Sequence, residues 1–181
     1  MVPLGTPASA FALQSLDGLT VRPTDFIGRP LLVMFLSNHC PYVRHIEREL
    51  GSLITEYADQ GLAAVAISSN NIESHPDDGP AGLAAQADRA GFTFPYFLDG
   101  SQEVAKAYRA ACTPDFFLYD AEHRLFYRGE FDDSRPSSDL PVTGQALRAA
   151  VDHLLAGQRA PEPQVPSIGC SIKWKPGNEP F

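Results

Sequence analysis

The feature that most constrains this chain is the run Leu31-Leu-Val-Met-Phe-Leu-Ser37, which is apolar almost without interruption and of strand length. A strand with one wet face alternates apolar and polar residues, whereas an unbroken run is buried on both faces and needs a covering layer on each side. Immediately downstream, Val43, Ile46, Leu50, Leu53 and Tyr57 recur at spacings of three and four, and Arg44, Glu47, Arg48, Ser52 and Glu56 take the opposite positions. That spacing predicts an amphipathic helix of about eighteen residues, stopped by Gly61. Leu62 to Ser68 then repeats the buried-strand pattern. Strand, helix and strand in this order form a βαβ unit with a right-handed crossover, which places the chain in the α/β class.

The remaining elements extend that unit. Phe11 to Gly18 followed by Leu19 to Val21 reads as a small N-terminal hairpin turning at Asp17-Gly18. Ser69 to Gly79 is polar and longer than most connections, so it is either a functional rim or a mobile loop. Helices are expected over Pro80–Ala90, Gln102–Arg109 and Gly144–Ala156, the last with Leu147, Val151, Leu154 and Leu155 inward and Gly157 as its stop. A short strand is expected over Phe94–Leu98. Phe116–Asp120 and Arg124–Arg128 read as an antiparallel pair around a tight turn. Parallel and antiparallel strands together give a central mixed β-sheet flanked by helices. The 181 residues amount to one domain, residues 1–157, and a tail, residues 158–181. Five prolines argue that the tail is irregular, yet it contains an apolar knot, Ile168-Gly-Cys-Ser-Ile-Lys-Trp174, that predicts docking on the body.

Charge and cysteine usage exclude several functions. A net charge of −8 repels phosphate backbones and anionic lipid, so neither nucleic acid nor a membrane surface is an expected partner. No run approaches the roughly 20 apolar residues of a membrane span. Met1 to Leu16 has neither a basic start nor an apolar stretch, and three dispersed cysteines are not a secreted disulfide framework. The expected location is cytoplasmic. No metal is expected, because His39-Cys40 adjacency does not suit one ion and no paired Cys or His ligand spacing exists. Without a glycine-rich phosphate loop, no cofactor is expected either.

The chemistry concentrates in Phe35-Leu-Ser-Asn-His-Cys-Pro-Tyr-Val43. Cys40 falls between a buried strand and a long helix, with Pro41 suited to the first helical position. Unpaired N–H groups and the positive end of the helix dipole favour a thiolate there, below the free-thiol pKa of about 8.5, and a protonated His39 acts in the same direction. An inert buried cysteine fits that position as well. Downstream, Cys112-Thr113-Pro114 stands directly before a strand, and its Thr-Pro bond is of the kind that adopts cis. Asn38 and Thr113 are candidates to hydrogen-bond a substrate sulfur or peroxide, or else they satisfy loop backbone. Arg128 and Arg44 are either thiolate partners or solvated surface arginines. The charged turn Asp132–Pro136 is a candidate rim.

A helix-capping Cys-Pro in a βαβ unit, then Thr-Pro and an antiparallel pair, resembles the thioredoxin-like superfamily in order and spacing. The resemblance runs from Phe11 to Ala156 and is closest to the peroxiredoxin-like (redoxin, AhpC/TSA-like) branch. A bacterial group within it reads Asn-His-Cys-Pro-Tyr-Val at the active site and ends in Gly-Cys-Ser/Thr-Ile-Lys-Trp. Those motifs stand here at Asn38–Val43 and Gly169–Trp174. The resemblance implies a thioredoxin-like fold and a thiol-dependent oxidoreductase with Cys40 as nucleophile. It also implies a disulfide or peroxide substrate, a thiol reductant such as thioredoxin or glutathione, and an antioxidant role. Two departures matter. Val43 stands where thioredoxins carry their second cysteine, and Val33 stands where a peroxidatic motif has proline, although Ser37 fits its Thr/Ser position. Resolution of Cys40 therefore falls to Cys170, to an external thiol, or to Cys112, in that order. The rival from another class is a redox-inactive thioredoxin-fold binding or adaptor module.

Overall fold

The computed structural model describes residues 2–180. Two short strands, β1 (Leu13–Gln14) and β2 (Thr20–Val21), form the expected hairpin. The core then builds from β3 (Leu31–Phe35), α1 (Pro41–Ala58) and β4 (Ala63–Ser68). Next come α2 (Pro80–Ala90), β5 (Tyr96–Leu98), α3 (Glu103–Tyr108) and β6 (Cys112–Thr113). β7 (Asp115–Tyr119), β8 (Leu125–Gly129), α4 (Gln145–Leu155) and β9 (Cys170–Ser171) complete the chain.

The five-stranded central sheet has the order β5-β4-β3-β7-β8. β3 pairs parallel with β4 and antiparallel with β7, so it is the middle strand. This is why its residues are buried without alternation: every residue of β3 and β4 is buried. Leu32 and Met34 meet α1 and α4 residues in one apolar cluster, while Leu31, Val33 and Phe35 point into a second cluster with Tyr108 of α3 and Phe11. The architecture is a thioredoxin-like mixed sheet between two layers.

Two expectations need correction. Glu47 does not lie on a wet helix face: it is buried, and its carboxylate accepts from Arg89 Nε at 2.7 Å and Gln86 Nε2 at 3.3 Å, both from α2. A second helix crossing that face converts a surface position into a buried ion pair. The tail is likewise not wholly irregular. Between Pro166 and Pro176 it forms β9, which pairs antiparallel with β6, Thr113 opposite Cys170 and Cys112 opposite Ser171.

Tail anchors flank that strand on both sides. Upstream, Glu130 N–H donates to Val165 O at 2.8 Å and Ser167 Oγ donates to Gly129 O at 2.7 Å. Downstream, Ile172 is buried in the second cluster with Trp174 packed beside it. Lys173 N–H donates to Asn70 Oδ1 at 2.7 Å, and Lys173 O accepts from Asn71 N and Gln102 Nε2. Gln102 is itself fully buried with a positive φ of 65°, a backbone state uncommon for a residue with a side chain.

Candidate active site

Cys40 is the N-cap of α1 and Pro41 occupies its first turn, where the missing N–H has no intrahelical partner to lose. The Cys40 side chain is inaccessible to solvent, and its Sγ donates to Thr113 O at 3.2 Å. The Thr113-Pro114 peptide is cis. Because β9 pairs with β6 at this point, Cys170 is brought to the same place from 130 residues away in sequence. Gly169 makes the approach possible: a Cβ there would lie 2.0 Å from Thr113 O and 3.2 Å from Pro114 Cδ. A side chain at 169 therefore excludes the observed pairing.

The two thiols are close enough for Cys40 to act on the ionisation of Cys170. Burial first, then the hydrogen bond and charge of Cys40, push the Cys170 thiol up to about 11, while Lys173 and the Tyr42 backbone N–H act in the opposite direction. Tyr42 lies in the first turn of α1, so the helix offers a donor to Cys170 as well as to its own cap. Thr113 Oγ1 is buried without a hydrogen-bond partner among the described residues. Cross-strand partners share a face, which puts this hydroxyl on the Cys170 side of the ladder.

Cys112 faces the other way, as the strand alternation requires. Its Sγ donates to Pro114 O at 3.4 Å and weakly to Ser167 O at 3.8 Å. Burial, then Asp115, pushes it up to about 12. It lines a hollow of about 240 Å³ with Asp115 and Arg128. Arg128 does not serve Cys40 and is not a solvated surface residue. It pairs with buried Asp115 at 3.1 Å, donates to Arg109 O at 2.9 Å and covers the Phe117 ring at 4.6 Å. Desolvation raises the Asp115 pKa, and Arg128 is the main charge opposing that rise.

The loop carrying Cys40 is held by a residue that sequence reasoning missed. Asp78 is fully buried in the Ser69–Gly79 connection. Its carboxylate accepts from Asn38 N at 2.6 Å, His39 N at 3.2 Å, Ser37 Oγ at 3.1 Å and Asn70 Nδ2 at 2.8 Å, and meets His39 Nδ1 at 2.5 Å. Ser37 Oγ in turn accepts from Cys40 N at 3.2 Å. His39 stacks on His75, ring centroids 4.5 Å apart. The available signal was a dense Asn/Asp/His loop following a buried strand.

Asn38 is a loop clamp and does not present its side chain to substrate. Its Nδ2 donates to Asp77 O at 2.8 Å and its Oδ1 accepts from Arg89 Nη2 at 2.9 Å. Arg44 Nε donates to Asn38 O at 2.7 Å, so Arg44 also braces this loop. The Asp132–Pro136 turn reaches the site's edge, where Tyr42, His45, Pro114, Ser134 and Ile168 line a hollow of about 20 Å³. His45 Nε2 and Ser134 Oγ are 3.0 Å apart there.

A family model described as "AhpC/TSA family" matches residues 4–128. Among curated proteins, the thiol-disulfide oxidoreductase ResA of Geobacillus thermodenitrificans is 29% identical over 131 residues, covering 68% of this chain and 67% of that protein. The chain thus spans about two thirds of that relative's length. Among solved structures, an uncharacterized conserved protein from Geobacillus kaustophilus is 50% identical, with a TM-score of 0.95 over 98% of this chain and 95% of that one. The thioredoxin domain of a thiol-disulfide oxidoreductase from Bacteroides vulgatus shares the fold, with a TM-score of 0.63 at 19% identity, covering 82% of this chain and 98% of that one.

Proposed function

The chain belongs to the AhpC/TSA family, and from that premise we propose that it is a thiol-disulfide oxidoreductase in which Cys40 is the nucleophile and Cys170 resolves it. The observation that carries this reading is the β6–β9 pairing, which sets Cys170 opposite the residue whose carbonyl accepts from Cys40. In the first step the Cys40 sulfur attacks one sulfur of R–S–S–R, and the bonding pair leaves with R–S⁻. In the second, Cys170 attacks Cys40 Sγ and expels the other R–S⁻, leaving a Cys40–Cys170 disulfide. The two protons lost by the protein thiols are those taken up by the two leaving thiolates. An external dithiol, or two monothiols, reverses the exchange and restores the enzyme.

The electrostatics is consistent with this order of steps. Two of the causes that hold the Cys170 thiol protonated are the hydrogen bond and charge of Cys40. Conversion of Cys40 to a neutral mixed disulfide removes both, so that burial alone still raises the Cys170 pKa against Lys173 and the Tyr42 N–H, and the thiolate becomes easier to form. Thr113 Oγ1 is a donor available to a sulfur anion on that side. Peroxide is the second substrate of this reading, with a Cys40 sulfenic acid in place of the mixed disulfide.

Non-reducing peptide mapping after one equivalent of a disulfide oxidant tests the assignment. A Cys40–Cys170 peptide is expected, absent in Cys40→Ser and retained in Cys112→Ser. In Cys170→Ser, Cys40 is expected as a stable adduct of the oxidant. Three unmodified thiols would favour the redox-inactive binding module instead, and a Cys40–Cys112 peptide would reassign the resolver.

A further inference from the structure

We infer that β9 is a substrate filter: by occupying the edge of β6 it closes Cys40 to polypeptide disulfides and restricts the enzyme to small ones. The inference rests on the reading of Cys40 as nucleophile and concerns which disulfides reach it. β6 ends at the residue that contacts Cys40, so its free edge would be the natural place for an extended polypeptide to add as a strand beside the nucleophile. The chain's own tail fills that edge. It does so antiparallel, and it carries a cysteine at the position facing Cys40's partner Thr113, as an incoming disulfide-bearing strand would. Cys40 is left fully covered, while Cys170 remains partly exposed.

The filling is close and anchored. Gly169 passes Thr113 O at a distance that admits no side chain. Ile172 is buried, and Lys173 is tied through its backbone to Asn70, Asn71 and Gln102. A polypeptide has to remove β9 from β6 before its backbone can pair there, and it must break those anchors to do so. A small disulfide needs only a local outward shift of residues 168–171, between anchors that stay in place. Ile168, just before the strand, is half exposed and unburdened by such ties.

The test measures formation of the Cys40 mixed disulfide in a Cys170→Ser background, which removes the resolver and leaves one reacting thiol. The probes are glutathione disulfide and insulin. Two variants release β9 by different routes, Gly169→Val by steric exclusion from Thr113 and Ile172→Asp by loss of its apolar anchor; circular dichroism identifies which of them folds, and Trp174→Ala provides a milder release. The background protein is expected to react with glutathione disulfide and scarcely with insulin. Release of β9 is expected to raise the insulin rate about tenfold or more, the scale of losing part of a buried isoleucine's contribution, with a far smaller change for glutathione disulfide. Equal insulin rates with and without release overturn the filter and leave the function intact. Absence of any adduct at Cys40 with either probe overturns both.

Discussion

Replacing Asp78 by alanine is expected to destabilise the protein by about 3–5 kcal/mol and to disorganise the loop that presents Cys40. The magnitude follows from what the carboxylate serves. It accepts from two backbone N–H groups, Asn38 and His39, and from the buried Asn70 amide, besides Ser37 and His39 side chains. Ser37 and His39 have each other, at 3.0 Å, once Asp78 is gone. The Asn38 N–H and the Asn70 amide are buried with no comparable substitute. Each abandoned buried donor costs about 1–3 kcal/mol, and hydrogen bonds to a charged acceptor lie at the upper end. Two such groups, plus the space left by the carboxylate, give the stated sum.

Urea unfolding followed by circular dichroism measures it, with Asp77→Ala as the control. Asp77 is exposed and contributes only its backbone carbonyl to Asn38, so its change stays within about 0.5 kcal/mol. In parallel, the rate of Cys40 adduct formation at a temperature where both variants are folded reports on presentation of the thiol. A loss below about 1 kcal/mol, with an unaltered Cys40 rate, would refute the assignment of Asp78 as organiser of residues 37–40.

Three further outcomes are expected. Arg128→Ala leaves Asp115 buried and unpaired, costing about 3–5 kcal/mol in urea unfolding, while the Cys40 adduct rate in the folded protein is unchanged. Stability falls between pH 9 and pH 12, partly because unfolded Cys112 ionises near its ordinary value of 9.0 whereas the folded thiol keeps its proton to about 12. The sign is that of a raised folded pKa, full stability below the lower value and loss above it, so Cys112→Ala flattens this portion of the pH–stability curve. Finally, Val43→Cys in a Cys170→Ser background restores a resolving thiol one helical turn from Cys40, and an internal disulfide between Cys40 and the introduced thiol appears in non-reducing mapping; persistence of the trapped adduct would argue against the shared geometry.

The parts legible from sequence were those that one segment decides by itself. β3, α1 and β4 declared themselves because a period of two or 3.6, or its absence in a doubly covered strand, is written into consecutive residues. Cys40 at a helix start and Thr113-Pro114 before a strand were legible for the same reason. What was not legible depends on a second segment arriving. Glu47 reads as a surface residue until α2 supplies Arg89 and Gln86. Asn38 reads equally as a substrate ligand or a loop-backbone clamp until Asp77 O and Arg89 take both its ends and decide for the clamp. Asp78 reads as one more loop acid until three consecutive residues of a distant loop converge on it. Arg128 is neither of the alternatives its sequence position suggested, because Asp115 on the adjacent strand captures it.

The tail shows why a thiol placed outside the catalytic helix needs so much structure around it. A second cysteine at position 43 would be ordered by α1 at no extra cost, whereas a resolver at 170 requires fixing a segment whose backbone ordering costs about 1–2 kcal/mol per residue. The anchors that offset this cost lie on either side of Cys170 and leave its own stretch lightly held: Val165 and Ser167 bind β8 and its exit, and Lys173 to Asn178 bind the β4–α2 loop and the turn leading into α3. Between them, residues 168–171 contribute one short ladder and a glycine with no side chain to release. A strand pinned at both ends and light in the middle can bow without leaving. That is the mechanical requirement of the resolving role proposed for Cys170, a thiol that must admit a substrate sulfur to Cys40 and then close on it without a dithiol motif in the helix.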